Sequence, residues 1–234
     1  MRNRLPLSLS LLLLGAGASS AQPKLNTLKA VVPKQYEVVT VYPTFAESTP
    51  VANLAEQRLG ARAKKEHNAF IGEIKKFIAD PNTMLPSGAG CYQEIKPTVT
   101  LYHPARLISV RMDGSQFTGG AHPLPFTNVF TFARVNGTAK QVTLADMFRA
   151  GSNYQNRINR VLLAKLKAKK ASLVVDGEIK TLKPEQLNRF VVEKDGLRFI
   201  FPPYDVASYA EGYFEVKLTP SELGPAFNRT LLAP

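Results

Sequence analysis

The 234-residue chain has no tryptophan, one cysteine and three histidines, and it is short of acid, with 18 Asp and Glu against 30 Lys and Arg. A single cysteine, Cys91, excludes an internal disulfide, so the fold depends on its apolar core; after the flexible SGAG stretch, Cys91 is expected to be an inert residue entering a strand. His67, His103 and His122 lie far apart, and HExxH and CxxC are both missing, which leaves little basis for a zinc site. There is no GxSxG nucleophile elbow. Without Trp, any stacking on sugar falls to tyrosines, with Tyr102, Tyr204, Tyr209 and Tyr213 the candidates. No apolar run reaches the roughly 20 residues that a spanning helix needs, so no membrane anchor is expected.

What is present begins with a patterned N-terminus. Arg2 and Arg4 precede an apolar run over residues 5–14, and Ala18, Ser19, Ser20 and Ala21 close it with small side chains. This order predicts a secretory signal cleaved after Ala21, and hence an exported, periplasmic or extracellular product. No Cys follows the apolar run, so lipid attachment is not expected. Removing residues 1–21 leaves 213 residues at +10, enough for a large core. Such a charge favours anionic partners outside the cell, such as peptidoglycan-associated or other anionic envelope polymers, without selecting one. Nucleic acid is not favoured, because the aromatic interleaving of nucleic-acid binders is missing.

Residues 22–34 read as a short leader. In QYEVVTVYP the alternation puts Tyr36, Val38, Thr40 and Tyr42 on one face of a strand. Ala55, Leu59, Ala63, Phe70, Ile74, Phe77 and Ile78 give residues 52–78 the stripe of a buried helix, with His67 expected as a partly exposed helical histidine rather than a metal ligand. Three β-rich runs follow, at residues 92–103, 106–117 and 126–135, the last closed by a tight Asn136–Gly137 turn, and an antiparallel meander is the economical arrangement. A second helix carries Tyr154, Ile158, Leu162 and Leu166 behind a Ser152/Gln155 capping box. Arg157, Arg160, Lys165, Lys167, Lys169 and Lys170 read as its solvent face; it is a candidate contact for an anionic surface, although a merely solvated face is the favoured account of the pattern. FVVEKDGLRFIF predicts a hairpin turning at Asp195 and Gly196, and GYFEVKLTP a further strand. The expected fold is α+β, an antiparallel sheet packed with two main helices in a single mixed body.

The stretches RLISVRMDGSQFTGGAHP, FTFARVNGTAKQVTLADMF and NRFVVEKDGLRFIFPPYDVASYAEGYFEVKLTPSEL resemble the C-terminal domain of the RsiV-type anti-sigma factors, which sense lysozyme, and the accessory domain of the PdaC-type peptidoglycan deacetylases. The resemblance covers roughly residues 35–227 and divides the chain into a PdaC-like strand plus long helix at 35–90 and an RsiV-like domain at 91–234. It implies an extracytoplasmic domain that binds rather than catalyses. The sigma-binding segment, the membrane helix and the metal-dependent deacetylase domain of those proteins have no counterpart here, so signalling, deacetylation and a cofactor are not implied. Lysozyme of the animal type is itself basic, and charge disfavours it as a partner.

Within TGGAHP, Gly119 and Gly120 permit positive φ and close approach of another chain, Pro123 stiffens the exit, and His122 is presented from a constrained turn, where the favoured reading is a ring that hydrogen-bonds to backbone and fixes the loop and the other is a titrating or ligand-gripping histidine. Tyr204, Asp205, Tyr209 and Glu211 form a second irregular, aromatic segment, and the two together are the expected binding surface. The alternative is a wall-polymer hydrolase that pairs His122 with one of these carboxylates.

Overall fold

The computed structural model describes residues 22–86 and 90–232; the expected signal peptide lies outside them. Residues 24–32, read from sequence as leader, are a strand, β1 (Lys24–Val32), paired antiparallel along its whole length with β2 (Tyr36–Thr44). Helix α1 (Pro50–Ala79) starts where Thr49 accepts a hydrogen bond from the Ala52 amide at 3.1 Å and Pro50 supplies a preset φ. It carries the chain back so that β3 (Cys91–His103) joins β2 in parallel, a departure from the all-antiparallel meander. Strands β4 (Leu107–Phe117), β5 (Leu124–Val135) and β6 (Thr138–Gln141) continue antiparallel, giving a six-stranded mixed sheet in sequence order. Asn136 and Gly137 both take positive φ in the expected β5–β6 turn.

Alternation along β4 shows how the layers form. Ile108, Val110 and Met112 face α1 and pack with Ala55, Leu59 and Ala63, and the two alanines let the helix approach the sheet. Leu107, Ser109 and Arg111 face the other way, toward a second sheet of β7 (Phe190–Glu193), β8 (Gly196–Phe201) and β9 (Phe214–Leu218). Strand β4 is therefore covered on both sides. The edge of β7 is satisfied by side chains of the large sheet: Ser109 Oγ accepts from the Val192 amide at 2.9 Å, and Thr100 Oγ1 donates to the Val192 carbonyl at 2.9 Å.

Helix α2 (Tyr154–Ala168) buries Ile158, Leu162 and Leu166 in the core shared with β7–β9. The fold is α+β with these two main helices, as expected. Local details differ. Asn153 occupies the N-cap position of α2, and Ser152 instead donates to the Arg149 carbonyl at 2.7 Å, so the Ser152/Gln155 box does not form. In the β7–β8 hairpin Glu193 pairs directly with Gly196, which makes Lys194 and Asp195 the turn. Gly196 is a strand residue at φ 153°, where a Cβ would stand 2.1 Å from the Leu218 carbonyl oxygen. His67 is buried, against the expected partial exposure, with Nδ1 3.3 Å from Thr40 Oγ1, and burial pushes its pKa below the usual histidine value. Cys91 is fully buried at the head of β3.

Candidate functional site

Two loops that are far apart in sequence meet at one end of the layers. The first joins β4 to β5 and contains TGGAHP. Gly119 and Gly120 adopt φ of 117° and 94°; a Cβ on Gly119 would make only an ordinary 3.7 Å contact with Pro86 and one on Gly120 would meet nothing within 4 Å, so it is the turn's positive φ that calls for glycine here. The second joins β8 to β9. Val206 and Ala207 plug it into the core, while Tyr204, at φ 72°, turns outward with its amide donating to the Ala207 carbonyl at 3.0 Å. A non-glycine residue in the left-handed region is a strained position, held here by the buried pair beside it.

The contact between the loops is aromatic. The imidazole of His122 lies over the ring of Tyr209, centroids 3.6 Å apart and planes 19° apart, and the Tyr204 ring is 5.8 Å from Tyr209. The Pro123 carbonyl joins them, accepting from His122 Nδ1 at 3.1 Å and from the Tyr209 hydroxyl at 2.9 Å. A carbonyl only accepts, so Nδ1 carries a proton in this arrangement. His122 is exposed and Tyr204 is 56% exposed, while Tyr209, one face of which His122 covers, is half-buried, so the three rings make a contiguous platform whose open members are His122 and Tyr204.

The carboxylates of the same segment are committed elsewhere. Asp205 is ion-paired with Arg189, and its backbone carbonyl accepts from Gln186 at 2.9 Å. Glu211 accepts from the Ser172 hydroxyl at 2.6 Å, from the Ser208 hydroxyl at 2.8 Å and from both backbone amides. These donors hold its carboxyl down at about 2, far from the range of a general acid. Among the described residues no hydrogen bond or ion pair joins His122 to a carboxylate, the pairing that the alternative hydrolase reading calls for. The acids fasten the loop that carries the tyrosines.

Behind the platform sits a polar brace that the sequence reading missed. Arg111 bonds Asp113 at 2.7 Å and also Glu215, and Thr127 donates to Asp113 at 2.6 Å, its hydroxyl oxygen lying 3.3 Å from the Tyr213 hydroxyl. The Arg111 guanidinium stands 5.7 Å from the centre of the Tyr213 ring. Burial raises the Tyr213 phenol above its usual value. Tyr213 is thus part of the support, whereas Tyr102 lies toward the other end of β3, opposite Ile108, where it stacks on Phe45 at 5.5 Å and donates to Glu47. Of the four candidate sugar-stacking tyrosines, Tyr204 and Tyr209 belong to the platform.

The basic helix face is only partly available. Arg157 donates to the Glu222 and Ser221 carbonyls at 2.8 and 3.1 Å, and Lys165 pairs with Glu222 at 2.6 Å. These two fasten α2 to the turn after β9, leaving Arg160, Lys167, Lys169 and Lys170 as the exposed set. A separate polar cleft of about 810 Å³ lies between β1–β2 and α1, lined by Asn26, Tyr42, Glu47, Asn53, Glu56 and Gln57 among others; nothing in the sequence reading singled it out. Among the described residues, no three His, Cys, Asp or Glu side chains gather as a metal site, and no helix is long and apolar enough to cross a membrane.

Residues 145–221 match a family model described as a protein of unknown function, DUF3298. No curated protein matches the chain. Among solved structures, a DUF3298 family member from Bacteroides fragilis is 18% identical with a TM-score of 0.61, over 89% of this chain and 95% of that one. A DUF3298 family protein from Pseudomonas aeruginosa is 17% identical with a TM-score of 0.63, over 91% and 97%. At such identities the likeness establishes the fold alone. The matched span includes the Tyr204–Glu211 loop and excludes His122. The chain thus carries a DUF3298 match over residues 145–221, on a fold shared with two bacterial DUF3298 proteins.

Proposed function

We propose that the protein is an exported, non-enzymatic binding module of the bacterial envelope, and that it grips cell-wall glycan on the rings of Tyr204, Tyr209 and His122. The observation that carries this reading is the platform: three contiguous rings, presented by anchored loops, whose neighbouring carboxylates are all used as fasteners. Aromatic faces pack against the C–H faces of sugar rings while hydroxyl and imidazole edges take up hydrogen bonds. The excess of positive charge favours an anionic polymer and opposes a basic protein such as lysozyme. The resemblance to RsiV-type and PdaC-type domains is compatible with this role, and the pattern of residues 1–21 supports export.

Co-sedimentation of the purified protein with peptidoglycan sacculi, and binding to teichoic acid, lipopolysaccharide and lysozyme in parallel, tests the proposal. Retention on sacculi is expected, weakened about tenfold or more by Tyr204→Ala and by His122→Ala with the melting temperature unchanged. Binding to lysozyme alone, or retention on sacculi that both variants leave intact, contradicts it.

A further inference from the structure

Strand β1 closes one side of the six-stranded sheet, and among the described residues its outer edge has no strand beside it. An unpaired edge of nine residues is long, and the usual protections are weak here: β1 itself holds no proline, its register with β2 has no bulge, and Lys24 and Lys29 are its only charges. Instead it exposes Leu25 at 60% and Val31 at 48%, two of the six large apolar side chains most open to solvent among the described residues.

These two positions are related by the strand's own symmetry. We infer that β1 is a self-pairing edge, through which two copies of the chain join antiparallel about a two-fold axis at Leu28, into one continuous twelve-stranded sheet. A two-fold axis normal to the sheet keeps each side chain on its own face, so the pairing centres on a residue. Centred on Leu28, all nine residues find partners: Leu25 meets Val31 of the second copy on the open face, and half-buried Leu28 meets itself on the α1 face. Lys24 falls opposite Val32, and Lys29 opposite Thr27, so no like charges stand directly across from each other. The two Lys29 residues are diagonal neighbours, and each is offset by its own Glu37 at 3.2 Å. Neighbouring registers are worse. Centring on Thr27 sets Lys29 against Leu25, and centring on Lys29 opposes two like charges.

Each copy carries +12, which opposes association at low salt, and a single strand pair is a small contact. The dimer is therefore expected at micromolar concentrations and at about 0.15 M salt, where the Debye length is about 8 Å. Sedimentation velocity of the purified protein from about 1 to 300 μM reads this out directly. The wild type is expected to shift from monomer to dimer across the series. The exposed double variants L25K/V31K and L25E/V31E each place like charges opposite one another and stay monomeric, whereas their equimolar mixture, with Lys opposite Glu, forms a heterodimer. That rescue separates the pairing from a folding defect. A wild type that is monomeric throughout, a double variant that still dimerises, or a mixture that stays monomeric overturns the inference.

Discussion

Glu211 shows how a surface carboxylate becomes part of the structure. Two serine hydroxyls and two backbone amides donate to it, from Ser208 beside it and from Ser172, 39 residues away. Its pKa falls from 4.5 to about 2 on folding, so the charged form is the stabilising one. The contribution is complete above the unfolded value of 4.5 and is lost as pH falls through the folded value of about 2. Glu211→Gln is therefore expected to lower the melting temperature at neutral pH, with the gap from wild type closing between pH 4.5 and 2; a gap independent of pH contradicts this. The residues of the platform were visible in sequence because Gly119, Gly120, Pro123 and the tyrosine-rich run break the β pattern on either side. What their carboxylates do was not, since the partners of Glu211 and Asp205 come from distant segments and nothing local marks them. The same holds for His67, whose burial is decided by Thr40 on the opposing strand.

The elements α1, α2 and β2–β5 were legible, the helices from the apolar stripe of one buried face and the strands from β-rich runs bounded by Pro and Gly, although β4 is buried on both faces. Strand β1 was not: one face is wholly exposed and the other only half-buried, at Leu28, Ala30 and Val32, and its ladder with β2 makes it a strand. The parallel β2–β3 pair was equally hidden, since a long helix delivers the chain to either end of a sheet and local pattern does not say which. The junction of the two sheets rests on few groups. Ser109→Ala leaves the buried Val192 amide without its acceptor and is expected to cost about 1–3 kcal/mol in denaturant unfolding. A loss under about 0.3 kcal/mol would mean that another group satisfies that amide. Gly196→Ala forces a side chain into the Leu218 carbonyl at a φ of 153°, and destabilisation of about 1–3 kcal/mol or more is expected by the same measurement. An unchanged midpoint would show that the β8–β9 ladder yields at this point.

At the scale of the molecule, α1 and the β7–β9 sheet clamp the large sheet from both sides, and the aromatic loops project from one end of that layered body. The net charge of +10 that remains without residues 1–21 is spread over it, with part of the α2 face taken up by contacts of Arg157 and Lys165. Glycan held by stacking loses little affinity when salt rises from about 50 to 500 mM, whereas adhesion through Arg160, Lys167, Lys169 and Lys170 is screened away over that range. Retention on sacculi is thus expected to change less than about threefold; a loss of about a hundredfold would assign binding to the basic helix. The most direct measurement is NMR of the aromatic and imidazole resonances during titration with soluble peptidoglycan fragments. Saturable shifts at Tyr204, Tyr209 and His122 are expected, with the cleft between β1–β2 and α1 unmoved. Shifts confined to that cleft or to the end of α2, with the three rings unperturbed, would show that the platform is not where the ligand sits.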